Sequence, residues 1–138
     1  MMLDLNTIEK TEIVRLGRVI EGFYRDGDII HNDTDCDLMV KGERSKSGYC
    51  RRHLTLTMKS GETKRCHVYL HVLVYLLKNR LNTMPEGLEV SHLCHQTNCL
   101  NVLHLRAETR SVNMRRKRCN EDGVCYPQSH EGADDCIF

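Results

Sequence analysis

Between Ser91 and Cys119 the chain reads SHLCHQTNCLNVLHLRAETRSVNMRRKRC, and its cysteines, histidines and asparagines fall at spacings that suit two kinds of metal chemistry. Cys94-x4-Cys99-x4-His104 presents two thiolates and an imidazole on one compact loop, three of the four ligands that tetrahedral zinc takes. The fourth would come from upstream, where Cys36, Cys50 and Cys66 are available. Cys119-x5-Cys125-x4-His130-x5-Cys136 supplies a complete Cys3His set in the last twenty residues. That tail has almost no apolar content, so metal binding rather than burial is expected to order it. His92 and Asn113 stand outside both sets. A histidine can take a proton from water near neutral pH. An asparagine carbonyl suits a hard cation such as Mg²⁺, which keeps few protein ligands and completes its shell with water and phosphate oxygens.

The rest of the composition supports metal-assisted folding. The chain has 138 residues, two phenylalanines and no tryptophan, so one domain with a modest core is expected. A structural zinc can add roughly 10–16 kcal/mol of binding free energy to such a fold. Eight cysteines are interleaved with eight histidines, and Met1 leads into an acidic, helix-like segment rather than a signal peptide. Zinc in a reducing, intracellular compartment is therefore expected over a disulfide framework. No apolar run approaches the ~20 residues that span a bilayer. The net charge of +1 hides segregation: residues 41–80 carry ten basic against two acidic side chains, whereas residues 119–138 carry five acidic and no basic ones. A basic middle between acidic ends is the footprint of a polyanion-binding face.

The elements that must position these residues can be outlined. Residues 6–22 read as an amphipathic helix capped by Asn6 or Thr7, with Ile8, Ile13, Leu16, Val19 and Ile20 on one side. Ile29-Ile30 precedes an acidic loop at 32–37, and 38–40 reads as a strand. Tyr49–Met58 and Thr63–Leu70 alternate around a Lys59-Ser60-Gly61-Glu62 turn, which predicts a hairpin. Period two puts Leu54, Leu56, Met58, Cys66, Val68 and Leu70 on an apolar face. His53, Thr55, Thr57, Arg65, His67 and Tyr69 then share a polar face, a ribbon of the kind that fits a DNA major groove. His71–Leu81 reads as a buried helix. A strand at 88–93, a loop at 94–102, a strand at 103–106 and a helix from N-cap Thr109 to about Arg118 follow. That order brings His92 opposite the helix carrying Asn113.

The run SHLCH…C…N…HL…N…C closely resembles the His-Cys box homing endonucleases, zinc-containing members of the ββα-metal, or His-Me finger (HNH-like), nucleases. The resemblance is specific over about 85–136, weaker over 48–84 and slight over 1–47. It implies an α+β fold: a His-Me finger core with an antiparallel DNA-binding ribbon and two structural zinc sites. The domain 1–138 would divide into an N-terminal helix and loop (1–47), hairpin and buried helix (48–84), ββα-metal motif (85–118) and zinc-clasped tail (119–138).

The resemblance also implies an activity, hydrolysis of phosphodiesters in double-stranded DNA with Mg²⁺, leaving a 5′ phosphate and a 3′ hydroxyl, in the nucleus or wherever the target DNA lies. Carried over by position, His92 would be the general base and Asn113 the Mg²⁺ ligand. An arginine after the ribbon turn would hold the scissile phosphate: Arg65, with Lys64 as the rival. Zinc site one would be Cys94, Cys99, His104 and an upstream cysteine. Cys50 gives the closer alignment and Cys36 is the alternative. Zinc site two would be Cys119, Cys125, His130 and Cys136. Asn101 would brace the loop. DNA contacts are expected from Thr55, Thr57, Lys64, Arg65, His67 and Tyr69 on the ribbon and from Arg115 and Arg116 at the helix end. The chain ends two residues past Cys136, so the resemblance leaves the choice between monomer and homodimer open. The competing readings are a non-cleaving, zinc-stabilised DNA-binding module and a zinc-stapled protein-interaction domain. A pure binder has no need of both His92 and Asn113.

Overall fold

The computed structural model describes residues 3–130 and 132–138. Helix α1 (Lys10–Arg25) begins later than the capping residues predict. Asp4 instead caps a 3-10 turn at Leu5–Thr7 by accepting the Asn6 amide. Ile8 then pairs in an isolated bridge with Met58, and the Glu9 amide donates to the Thr57 carbonyl. The helix runs past Gly22 to Arg25 and buries Leu16 and Ile20. Strands β1 (Ile29–His31) and β2 (Asp37–Met39) pair antiparallel around the acidic loop.

Strands β3 (Arg51–Thr57) and β4 (Thr63–Tyr69) form the expected ribbon, with Thr55 opposite Arg65 and His53 opposite His67. Leu56, Cys66 and Val68 are buried on its inner face. Helix α2 (Leu70–Lys78) follows without a loop and sinks Leu70, Leu73, Val74 and Leu76 into the same core. Its apolar positions run nearly all round, as suits a central helix.

The last unit is strand β5 (Leu88–His92), a loop, strand β6 (Leu105–Thr109) and helix α3 (Arg110–Asp122). β5 and β6 pair antiparallel, with His92 opposite Leu105. The Thr109 hydroxyl caps α3 by accepting the Val112 amide, as the sequence predicts, and Gly123 ends the helix with φ 69°. Val90, Leu100 and Leu105 join this unit to the core. Among the described residues, no helix is long and apolar enough to cross a membrane, and the eight cysteines are all free thiols. The result is an α+β fold of small antiparallel sheets around one α-helical core, with ββα order at its functional end.

Candidate active site and metal centres

The loop between β5 and β6 is held from two sides. Leu38 bridges Cys99, the Met39 amide donates to the Asn98 carbonyl at 2.9 Å, and the Leu100 amide donates to the Asp37 carbonyl at 2.8 Å. Strand β2 thus lies along the loop and delivers the residue before it, Cys36. The ligand atoms of Cys36, Cys94, Cys99 and His104 all lie within 4.8 Å of one another, and all four residues are buried. His104 Nδ1 is 3.6 Å from the sulfurs of both Cys36 and Cys99. Tetrahedral zinc, with bonds of about 2.1–2.3 Å, sets its ligand atoms roughly 3.5–3.8 Å apart, so the donor set and spacing fit that ion. The hydrogen bond from Cys94 lowers the Cys99 thiol to about 5.

Cys50 is therefore not a member of the set. It lies in the main hydrophobic core with its sulfur 4.0 Å from the Met39 carbonyl, and its own carbonyl accepts the Leu70 amide. The alignment that favoured Cys50 missed the β1–β2 hairpin, which folds back onto the zinc-type loop. Asn101 braces that loop: its Nδ2 donates to the Asp35 carbonyl at 2.7 Å and its Oδ1 accepts the Leu103 amide.

The tail gathers Cys119, Cys125, His130 and Cys136 within the same 4.8 Å limit. His130 Nε2 is 3.2 Å from the Cys119 sulfur and 3.8 Å from that of Cys136. The Ile137 amide then donates to the Leu93 carbonyl at 2.7 Å, tying the tail to the first loop. Both sets are consistent with structural zinc.

Arg116 does not face DNA, contrary to the reading of its basic run. It is 1% exposed and forms a bidentate pair with buried Glu108. Its Nη1 donates toward the Cys136 sulfur at 3.6 Å. Helical period explains this: Val112, Arg116 and Cys119 share the inward face of α3. Arg115 is exposed and donates to the Ser129 carbonyl at 3.0 Å.

His92 and Asn113 line one cleft of about 280 Å³, together with Tyr49, His95, Thr97 and Lys117. His92 is buried, and its Nε2 lies 3.2 Å from the Cys99 carbonyl oxygen. A carbonyl only accepts, so Nε2 carries the hydrogen and Nδ1 keeps its lone pair. Burial lowers the His92 pKa to about 4. The Tyr49 and His71 rings pack beside it, at centroid distances of 5.7 and 4.9 Å. Asn113 Nδ2 donates to Glu89 at 2.7 Å, which leaves Oδ1 to accept or coordinate. Gly48, at φ 89°, lets the chain turn beside Tyr49, and its carbonyl accepts the Thr97 hydroxyl.

A second cleft, of about 740 Å³, adjoins the first at Ser47, Tyr49 and Asn113, and is lined by Arg51, His67 and Tyr69 from the ribbon. Arg65 lines neither cleft. It precedes His67 by two positions and Tyr69 by four on β4, about 13 Å along the strand from Tyr69. Lys64 lies on the opposite face, beside Leu56 and Cys66 in a separate hollow near Ile8, because strand period is two. Thr55 and Arg65 form a cross-strand pair on the polar face, while the Thr57 backbone is taken by Glu9 and Glu12 of the α1 start.

Several residues at the site were missed from the sequence: Arg51, Tyr49, His71, Glu89 and His95. Alternation from His53 did carry a signal for Arg51, since it puts both on the polar face. His95 gave no such signal. It adopts φ 62°, rare for a non-glycine residue, and its buried Nε2 has no hydrogen-bond partner among the described residues.

A helix packed on a two-stranded hairpin, with a histidine ending the first strand, an asparagine one turn into the helix and two Cys3His staples, defines a zinc-type His-Me finger. The chain belongs to the family described as the zinc-binding loop region of homing endonuclease, whose model matches residues 36–136. That match runs from the first cysteine of one cluster to the last of the other. The chain is also 33% identical over 73 residues to the uncharacterized gene 5.3 protein of Enterobacteria phage T3, covering 53% of this chain and 67% of the phage protein. No solved structure matches it.

Proposed function

We propose that this protein is a Mg²⁺-dependent endonuclease that hydrolyses phosphodiester bonds in double-stranded DNA. The observation that carries the reading is the pairing in one cleft of a neutral histidine, whose free nitrogen is Nδ1, with an asparagine whose carbonyl oxygen remains available. Family membership supports DNA as the substrate. The two Cys3His clusters would hold structural zinc.

His92 Nδ1 would accept a proton from water, whose oxygen attacks phosphorus in line with the departing 3′ oxygen. The ester bond to that oxygen breaks and leaves a 5′ phosphate and, once protonated, a 3′ hydroxyl. The Cys99 carbonyl keeps the imidazole in the tautomer and orientation this step needs. A hard divalent cation on Asn113 Oδ1, when bound, would offset the charge that develops on the phosphate. Arg51, which lines the groove that Asn113 shares, would hold the phosphate in place of Arg65. Thr55, Arg65, His67 and Tyr69 on the outer ribbon would contact the duplex beyond the cut.

The test is a digest of mixed plasmid or genomic DNA by zinc-loaded protein, with Mg²⁺ present or omitted by dialysis, since a strong chelator would also strip zinc. Cutting that needs added Mg²⁺ supports the reading. Salt-sensitive binding without cutting would favour a non-cleaving DNA-binding module instead.

A further inference from the structure

Outside the two buried clusters, a third set of metal-ligating side chains comes together on the outer face of the ribbon: Glu43, His53 and His67, with ligand atoms all within 4.8 Å of one another. Its placement follows from backbone register. His53 and His67 are directly opposite across β3 and β4, and such cross-strand pairs hold their Cβ atoms about 4.5–5.5 Å apart, close enough for both imidazoles to reach one ion. Their Nε2 atoms converge, with ring centroids 3.5 Å apart.

Glu43 arrives by a separate route. Residues 43–45 run antiparallel along the start of β3, where the Arg51 amide donates to the Glu43 carbonyl and Arg44 bridges Cys50. That seats the Glu43 carboxylate diagonally from His53, with Oε2 3.7 Å from its Nε2. Oε1 takes the Arg51 guanidinium at 2.7 Å, which holds the carboxyl below its usual range and therefore ionised.

We propose that Glu43, His53 and His67 form a third metal site, for a borderline divalent transition ion such as Zn²⁺, Ni²⁺ or Cu²⁺. Two imidazoles with one carboxylate make a ligand set that leaves a coordination position open to water or another small ligand. Imidazole nitrogen selects against Mg²⁺ and Ca²⁺, which prefer oxygen cages. All three ligands are exposed, so the ion exchanges more readily than one held in a buried Cys3His cluster. The site is separate from the proposed base and Mg²⁺ ligand, His92 and Asn113, but it adjoins the proposed phosphate groove through the Glu43–Arg51 pair and through His67.

The protein as purified is titrated with Zn²⁺ or Ni²⁺, and bound ions are counted by native mass spectrometry. The expected result is one equivalent beyond the tightly held pair, weakened at least about tenfold in His53→Ala and in His67→Ala. Glu43→Gln weakens it as well. The tightly held pair and the circular dichroism spectrum stay unchanged in all three variants, which separates loss of the site from loss of the fold. With Cu²⁺, nitrogen hyperfine splitting from two imidazoles is expected in the wild type and from one in His67→Ala. The absence of an added equivalent at tenfold metal excess, or its full retention in both histidine variants, would overturn the proposal.

Discussion

His92 Nε2 lies 3.2 Å from the carbonyl oxygen of Cys99, so the proposed base is oriented by the backbone of a residue whose sulfur belongs to the first metal cluster. In the proposed mechanism, that one hydrogen bond would couple the metal-held loop to the base. The loop can present the carbonyl only while Cys36, Cys94, Cys99 and His104 are drawn together.

The first prediction separates the two cysteines that the sequence left in competition. Cys36→Ser should lose one zinc and much of the fold, because structural zinc contributes roughly 10–16 kcal/mol of apparent binding free energy, as much as a whole domain's stability. Cys50→Ala should keep both ions and cost only about 1 kcal/mol for the atoms removed from the core. Metal counting on the two variants decides the point.

Acid should weaken the fold through the buried ring stack. Burial lowers His71 to about 3 and His92 to about 4, from an ordinary 6.5. Between those values the unfolded chain binds protons that the folded one does not. Stability is therefore full above about pH 6.5 and falls as pH drops towards 4. His71→Phe keeps the stacking on Tyr49 and removes one titrating group. Urea unfolding at pH 7 and pH 5, with zinc present, should show a pH-linked loss smaller than wild type by about 2 kcal/mol. An identical loss would mean that His71 titrates normally.

Arg116 should matter for stability. Its removal leaves Glu108 buried without its guanidinium, which typically costs about 3–5 kcal/mol. Denaturant midpoints of Arg116→Ala and exposed Arg65→Ala provide the comparison, with Arg65→Ala expected within about 0.5 kcal/mol of wild type. Equal midpoints would contradict the buried pair.

For the phosphate, the geometry favours Arg51 over Arg65. Arg51→Ala should slow cleavage at saturating DNA by about 10²–10³, the usual loss when a stabilising donor is removed. Arg65→Ala should instead weaken binding and lower the salt dependence by about one charge. Single-turnover rates with a salt titration separate the two, and the reverse pattern would restore Arg65.

The ββα unit was legible because its signals are local: Thr109 caps α3, alternation defines the ribbon, and ligand spacing marks both clusters. What failed to show was non-local. Cys36 joins the loop only because β2 pairs with residues 98–100, a contact no spacing encodes. Arg116 sits in a basic run that reads as solvent-facing, yet the helix turns it onto Glu108. Arg65 matches the description of an arginine after the turn, whereas the groove shared with Asn113 is lined by Arg51, whose place depends on β3 pairing opposite Tyr69. The start of α1 slipped because Ile8 found a strand partner in Met58, and tertiary pairing overrode the capping signal.

The most direct measurement is single-turnover cleavage of a susceptible duplex by wild type, His92→Ala and Asn113→Ala, each first shown to be folded and to carry the same zinc content. The account predicts Mg²⁺-dependent cleavage by the wild type and a loss of about 10²–10⁴ in rate for His92→Ala, the usual scale of general-base catalysis, with a comparable loss for Asn113→Ala. A folded, zinc-loaded His92→Ala that cuts at the wild-type rate would contradict it.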